Sequence, residues 1–188
     1  MSFGTEGSGG LFMRKLLLAV ILFTTASAIA QEKSEFPTKG YRGSGYVYYA
    51  GNGDDFETYN FGTTHGYQIN SKWFVGGGMQ LNFGSLLYKS EDYSFVSATE
   101  YANVRLDMLE KPISPYLNLK LGVTVGDIEG WYAAPEAGVR FRHFNLGIGV
   151  ECQNHAAVYG IGIKQSDENE HSELLMIRLA YDFCGRKK

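Results

Sequence analysis

The chain has 188 residues, including 24 glycines, 13 tyrosines, 12 phenylalanines and only 4 prolines, and its formal net charge is −3. This length predicts a single domain with a sizeable core, and the aromatic content excludes a disordered chain. Because the net charge is negative and no basic stripe precedes the final GRKK, the sequence also argues against nucleic acid as a partner.

The first predicted element is a signal peptide at 13–30. Arg14 and Lys15 precede an apolar segment that ends in the tripeptide AIA, and small residues in this spacing are typical of a signal-peptidase site. The apolar segment is short for a membrane-spanning helix. We therefore predict export, with cleavage after Ala30.

From residue 40 onward, apolar and polar residues alternate between turn signals, and this pattern predicts β-strands. The clearest example is YLNLKLGVTVG, in which leucines and valines form one row while asparagine, lysine, threonine and glycine form the other. No segment of useful length has the helical period. The alternating pattern occurs in eight segments: 41–51, 56–69, 73–85, 93–108, 115–127, 130–142, 144–153 and 173–183.

Eight strands with mostly short connections predict an all-β fold, an eight-stranded antiparallel up-and-down transmembrane β-barrel at 40–183. The other predicted parts are a non-native or upstream extension at 1–12, a periplasmic leader at 31–39 and a periplasmic tail at 184–188. The segment 158–164 either extends the seventh strand past a bulge or forms a hairpin of its own, and the sequence leaves both open.

An alternating strand fits two architectures, which differ in the face that is wet. A soluble barrel buries the apolar row, whereas a membrane barrel turns that row to lipid and encloses the polar row. Glycine dominates the polar rows, and a narrow lumen needs small residues while a solvent-exposed face does not. The polar rows also carry charges of both signs, which we predict to pair inside the lumen: Arg105, Asp107, Lys120, Glu136, Arg140, Arg142, Glu151, Arg178 and Asp182.

Aromatic residues mark two levels on the apolar face. The intervals from Trp73 to Phe83 and from Trp131 to Phe141 are ten residues each, which is about 33 Å along a strand and about 25 Å in height after a tilt of about 40°. That height matches the lipid-facing band of a membrane barrel. With both termini in the periplasm, the predicted belts are Trp73, Phe141, Phe144, Tyr181 and Phe183 on the periplasmic side, and Phe83 and Trp131 on the outer side.

Two residues depart from the alternating pattern. Pro135 lies in an apolar row where a closed barrel offers no edge strand, so we expect a bulge there. Glu100 lies in the apolar row of the fourth segment, either near the outer interface or at a change of register. Cys152 and Cys184 fall at different heights of the barrel, too far apart for a disulfide, so both are predicted to be free.

The signal peptide, the glycine-rich strands and the final strand LLMIRLAYDF together resemble the small eight-stranded outer-membrane barrels of the OmpA/OmpX type, in the plain form common in Gram-negative bacteria of the Bacteroidetes kind. The resemblance covers the whole mature chain and implies residence in the outer membrane. It also implies that the last apolar row is the signal read by the barrel-assembly machinery: Leu175, Ile177, Leu179, Tyr181 and Phe183. The chain departs from the group in the residues CGRKK after Phe183, because the group usually ends at the aromatic.

The sequence predicts no catalytic, cofactor or metal site. His155 has no neighbouring hydroxyl, and His171 stands beside Ser172 in an acidic segment interpreted as an extracellular loop, so neither indicates a nucleophile paired with a base. Eight strands enclose a lumen that side chains fill, and this excludes a general porin.

We therefore expect a monomeric outer-membrane barrel with a structural or surface-interaction role. Its expected partners are outer-membrane lipid, the assembly machinery and an extracellular molecule at the loop 154–172. A soluble exported barrel that binds an apolar ligand is the first alternative, and it would turn Leu117 and Leu119 inward. An outer-membrane enzyme that modifies lipid is the second, and it requires a histidine and a hydroxyl at one depth of the barrel.

Overall fold

Eight long strands form the part of the chain that the computed structural model describes, namely residues 39–53, 56–88, 91–155, 157–158 and 170–184. The predicted signal peptide and its cleavage site, together with the residues after 184, lie outside the described residues. Within them, no helix is long and apolar enough to span a membrane. The strands are β1 (Gly40–Gly51), β2 (Phe56–Gln68), β3 (Trp73–Tyr88), β4 (Glu91–Asp107), β5 (Ile113–Gly126), β6 (Ile128–Phe141), β7 (Phe144–His155) and β8 (Glu170–Cys184).

The strands close into a barrel. Each strand pairs antiparallel with the next, and β8 pairs with β1. Following paired residues once around the barrel from Phe74 leads back to β3 at Gly84, ten residues further along. This stagger corresponds to a strand tilt of about 40°. The predicted eight-stranded antiparallel up-and-down barrel is confirmed. We call the end where β1 begins and β8 finishes the basal end, and the opposite end the distal end.

The apolar rows face outward. Leu121, Val123 and Ile148 are 53%, 55% and 61% exposed, whereas Lys120 and Thr124, which alternate with them on β5, are buried. This arrangement is the inverse of a soluble barrel. The soluble alternative, which places the leucines of β5 inside, does not fit the structure.

Glycines on the inner face make room for tyrosines. A Cβ at Gly78 would lie 2.5 Å from the Tyr101 hydroxyl, and a Cβ at Gly138 would lie 2.5 Å from the Tyr116 hydroxyl. Both tyrosines are buried in the lumen. The abundance of glycine in the polar rows therefore follows from the narrowness of an eight-stranded barrel.

The bulge expected at Pro135 is absent, so that prediction is wrong. Pro135 pairs with Leu119 in an unbroken register with β5. The ladder between β6 and β7 is interrupted after Ala133 and resumes at Glu136 with the same offset. Because proline lacks an N–H, it interrupts pairing locally, and no extra residue is inserted.

Glu100 causes no change of register either. It pairs with Met79 on one side and with Val123 on the other, within continuous ladders. Its exposed side chain therefore lies on the outer face of the barrel, among apolar neighbours.

The connection between β7 and β8 contains more strand than the sequence indicated. Ala157 and Val158 pair with Glu129 and Ile128 of β6 at an offset one residue different from that of β7, so pairing with β6 reaches Val158, the one described residue of the segment 158–164. Residues 159–169 lie outside the described residues. Because β8 begins at Glu170, the prediction that His171 belongs to a loop is wrong.

Candidate functional site

The basal end of the lumen is filled by five charged side chains from four strands. We call this group the basal cluster. Each member is at most 4% exposed, and their burial indicates that they close this end of the barrel: Arg42, Arg105, Asp107, Arg140 and Asp182.

Asp107 is the centre of the basal cluster. Its Oδ2 lies 3.0 Å from Arg42 Nη1, and its Oδ1 lies 2.9 Å from Arg105 Nη2 and 3.4 Å from Arg140 Nε. Asp107 is the last residue of β4, and its position in the strand still directs the carboxylate into the lumen. Buried charges are tolerated when they are paired and hydrogen-bonded, and one carboxylate here serves three guanidinium groups.

A second carboxylate joins the first and last strands of the barrel. Asp182 Oδ2 of β8 lies 2.6 Å from Arg42 Nη2 of β1. Arg42 also donates to Gln68 Oε1 at 2.8 Å. Arg105 completes the layer, because it donates to Asn145 Oδ1 at 2.6 Å and its guanidinium lies 3.9 Å from the Tyr116 ring centroid. The basal cluster is therefore bound to β2, β5 and β7 as well.

Above the basal cluster, Glu136 receives hydrogen bonds from three neighbouring side chains. Arg178 Nε lies 2.8 Å from Glu136 Oε2. The Tyr116 hydroxyl donates to Oε1, and the Asn118 amide donates to Oε2 at 3.3 Å. This charge is therefore fully surrounded by donors although it is buried.

Lys120 is held by aromatic faces at the same depth. Its Nζ lies 3.7 Å from the Tyr46 ring centroid and 4.7 Å from that of Tyr101, distances at which an ammonium is attracted to an aromatic ring. Nζ has no hydrogen-bond partner among the described residues. The Tyr46 hydroxyl lies 2.7 Å from that of Tyr101 and donates to Gln80 Oε1 at 2.9 Å, so these side chains form one network.

A layer of amide and hydroxyl side chains follows toward the distal end. Gln80 Nε2 donates to the Tyr48 hydroxyl at 2.6 Å and to Asn82 Oδ1 at 2.9 Å. Asn82 in turn donates to Thr99 at 2.9 Å, and Thr99 lies 2.8 Å from Thr124. These contacts link side chains of β1, β3, β4 and β5 across the lumen.

The structure places eight of the nine predicted lumen charges inside the barrel, since only Arg142 is exposed. The prediction for Arg142 is wrong because β6 ends at Phe141, and Arg142 lies in the turn to β7 with a φ of 55°. Arg42 was missed, although it contacts both aspartates of the basal cluster. Glu151 lies near the distal end, where Gln153 donates to it.

Aromatic side chains lie on the outer face at both predicted levels. At the basal level, Phe144 pairs with Phe141 and Tyr181 in the neighbouring strands, and its ring centroid is 5.2 Å from that of Tyr181. At the distal level, Phe83 and Trp131 are 38% and 44% exposed. Four tyrosines outside the predicted belts add to these levels and also face outward: Tyr41 and Tyr67 at the basal level, and Tyr49 and Tyr59 beside Phe83.

The last apolar row lies on the outer face of β8, where Leu175 and Ile177 are more than half exposed. Its final member, Phe183, covers Gly43 of β1, because a Cβ at Gly43 would overlap the Phe183 ring. The terminal aromatic residue therefore packs across the seam that closes the barrel. Recognition of this row by the assembly machinery stays a prediction.

We expect Phe183→Ala to lower the free energy of unfolding by about 1–2 kcal/mol, since the ring is only partly buried. The fraction of heat-modifiable barrel in outer-membrane preparations should fall with it. Phe141→Ala is the matched control, because Phe141 belongs to the same aromatic level and is 54% exposed but lies away from the seam. Equal losses from both variants would contradict a special role of the seam.

The described histidines and cysteines do not form a nucleophile–base pair of the usual kind. His65 Nδ1 lies 2.6 Å from the Tyr41 hydroxyl on the outer face, so its hydroxyl partner is a phenol. His143 Nδ1 lies 2.9 Å from the Asp182 carbonyl oxygen. The side chains of His155 and His171 lie outside the described residues. Cys152 and Cys184 are free, as predicted.

Comparison with known proteins shows similarity in fold. No protein-family model matches the chain, and no curated protein sequence is similar to it. The outer membrane enzyme PagL is 14% identical and superposes with a TM-score of 0.50 over 75% of this chain and 99% of PagL. Neisserial surface protein A (NspA) is 15% identical, with a TM-score of 0.44 over 78% of this chain and 98% of NspA. The chain thus has the fold of the small eight-stranded outer-membrane barrels.

Proposed function

We propose that the chain is a monomeric outer-membrane protein whose closed lumen makes it a structural or surface-interaction barrel and not a channel. The observation that carries this proposal is the inverted barrel: its outer face is apolar between two aromatic levels, and its interior is polar. Trp73 and Phe83 bound the outward row of β3, at the separation of about 25 Å that suits a bilayer core.

The filled lumen argues against transport of solutes. Two ion-paired carboxylates of the basal cluster and the Arg178–Glu136 pair cross the lumen at different depths. Opening a path would separate buried charges, and breaking a buried pair costs about 3–5 kcal/mol. A general porin activity is not expected from such an interior.

The role in the outer membrane is proposed to be non-enzymatic. PagL is an enzyme, but at 14% identity the likeness concerns the fold, and fold alone does not imply activity. Surface specificity is proposed to lie in the connection between His155 and Glu170, which is the longest one between the eight strands. Export with cleavage after Ala30 and insertion by the barrel-assembly machinery complete the proposal.

Membrane residence and lumen closure are tested separately with the purified full chain. Reconstituted in vesicles, it should resist carbonate extraction and migrate differently on gels before and after heating. Vesicles that contain it should not swell in isotonic solutions of small sugars. A monomer that stays folded without detergent would contradict the membrane assignment. Rapid swelling of the vesicles would contradict the closed lumen. Deleting 159–169 should leave both results unchanged and abolish any surface binding.

A further inference from the structure

We propose that the basal end binds the headgroup of an anionic phospholipid between Lys111 and Arg142. This inference rests on the membrane residence proposed above and adds a specific lipid site to it. Lys111 lies in the turn between β4 and β5, and Arg142 lies in the turn between β6 and β7. The site would hold the phosphate between these two cations and the acyl chains against the apolar rows above them.

Exposed charges are distributed unequally between the two ends of the barrel. Among the described side chains, every exposed lysine or arginine lies at the basal end, and we call these residues the basal rim: Lys39, Lys72, Lys111 and Arg142. The exposed and half-exposed acidic residues of the distal end are Glu57, Asp127, Glu129 and Glu173. The sequence adds further cations directly after β8, in GRKK. This charge distribution favours an anionic partner at the basal end.

The turns that contain Lys111 and Arg142 are in direct contact. The Arg142 backbone N–H donates to the Pro112 carbonyl oxygen at 2.7 Å, and Arg140 Nη2 donates to the Lys111 carbonyl oxygen at 3.3 Å. These hydrogen bonds set two exposed cations on neighbouring turns, on one side of the basal rim. An anionic group between them can accept hydrogen bonds from both.

Neither cation has a counter-charge within the described part of the chain. The side chains of Lys111 and Arg142 make no ion pair or hydrogen bond with another described residue. Glu110 is an acidic residue of the same end, but it accepts a hydrogen bond from Ser71, in the turn that contains Lys72. The basal cluster behind the rim has three arginines and two aspartates, so it adds positive charge and does not neutralise the rim. The counter-charge therefore has to come from another molecule.

The backbone at Arg142 indicates a use for its side chain. Its φ of 55° is a left-handed conformation, which glycine adopts freely and a residue with a Cβ rarely does. Strained backbone of this kind clusters at binding sites. Neighbouring strands hold the turn in place, because Asp182 N–H donates to the His143 carbonyl oxygen at 2.6 Å while Arg142 N–H donates to Pro112. The backbone of Arg142 is therefore fixed beside that of Lys111.

The two cations lie at the depth of lipid headgroups. Arg142 directly follows Phe141, and Lys111 stands two positions before Ile113. Ile113 and Phe141 are paired across β5 and β6 and are 53% and 54% exposed. Phe141 belongs to the basal aromatic level, and such levels mark the interface between membrane and water. A phospholipid can therefore contact the cations with its phosphate and the apolar rows with its acyl chains, whereas a soluble anionic polymer would leave the apolar rows uncovered.

The test is lipid retention by the full chain in native mass spectrometry. The probes are phosphatidylglycerol and phosphatidylethanolamine of equal acyl composition, and the ammonium of the second lipid neutralises its phosphate. We expect the wild type to retain phosphatidylglycerol about tenfold over phosphatidylethanolamine, since each cation near an anionic headgroup strengthens binding about fivefold. Lys111→Gln together with Arg142→Gln should reduce the preference to about twofold. Lys39→Gln together with Lys72→Gln is the matched control, because it removes the same charge from the other side of the rim and should keep most of the preference.

A further variant separates binding from folding. Arg142→Gly should raise the urea concentration at which half of the barrel is unfolded, because glycine adopts the left-handed backbone without strain. It should nevertheless lower the preference for phosphatidylglycerol about fivefold. An arginine that binds no lipid would change the first measurement alone, and that result would count against the site.

Equal retention of the two lipids by the wild type would overturn the proposal. So would equal losses in the two double variants, because the preference would then come from the charge of the whole rim. Displacement of phosphatidylglycerol by millimolar inorganic phosphate would assign the site to a free anion and overturn the lipid as occupant. Loss of the heat-modifiable form in the wild type would count against membrane residence instead.

Discussion

Asp107→Ala should lower the free energy of unfolding by about 3–5 kcal/mol, the typical cost of removing one partner of a buried ion pair. The substitution removes the carboxylate that Arg42, Arg105 and Arg140 share. Asp182 remains, but its distance to Arg105 is 3.9 Å, too long to replace the lost contacts. Urea-induced unfolding of the barrel in lipid vesicles, followed by tryptophan fluorescence, measures the loss.

Two further variants separate charge from packing in the basal cluster. Adding Arg105→Met to Asp107→Ala should recover part of the stability, because Asp107 is the close carboxylate of Arg105 and the next one, Asp182, is 3.9 Å away. Glu173→Ala changes an exposed carboxylate on the outer row of β8 and should cost less than about 0.5 kcal/mol. If Asp107→Ala were no more harmful than Glu173→Ala, the basal cluster would not stabilise the barrel.

Gly147→Val should destabilise the barrel by about 3 kcal/mol, through overpacking and displacement of a buried ion pair. A Cβ at Gly147 would overlap Glu136 Oε1 and lie 2.5 Å from the Tyr116 hydroxyl. Glu136 would have to move away from Arg178, although both charges remain buried. The same vesicle unfolding assay measures the effect, and the unfolded fraction after refolding gives a second readout.

Gly77→Ala provides the contrast for this substitution. Gly77 also lies in a strand, but on the outer face, where the nearest atom to an added Cβ is the Tyr101 carbonyl oxygen at 3.1 Å. Because alanine is also better than glycine in a strand, we expect a change of less than about 1 kcal/mol. Similar losses at both glycines would show that strand glycines matter for their backbone and not for the room they leave in the lumen.

The fold was predictable because the period of two recurs in most strands. On β5, leucine and valine alternate with polar residues and glycine, and the structure exposes the first row and buries the second. Arg142 was misassigned because the same alternation was continued into a turn. Its φ of 55° reverses the chain, and a period cannot show where a strand stops.

The missed residue, Arg42, shows what alternation cannot supply. On β1, tyrosines occupy both faces, with Tyr49 outside and Tyr48 inside, so polarity did not identify the inner row. The partners of Arg42 depend on the stagger between β1 and β8 and on the depth that β4 reaches.

The ion pair between Arg42 and Asp182 has a kinetic consequence, since its members are 140 positions apart in the chain. Contacts of such long range form late and slow folding. Until the last strand arrives, a partly assembled sheet has two open edges and a polar face without its counter-charges. Such an intermediate is prone to pair with other chains. The step that ends this exposure is the docking of β8, so a truncation before residue 170 should yield aggregates and not a seven-stranded barrel.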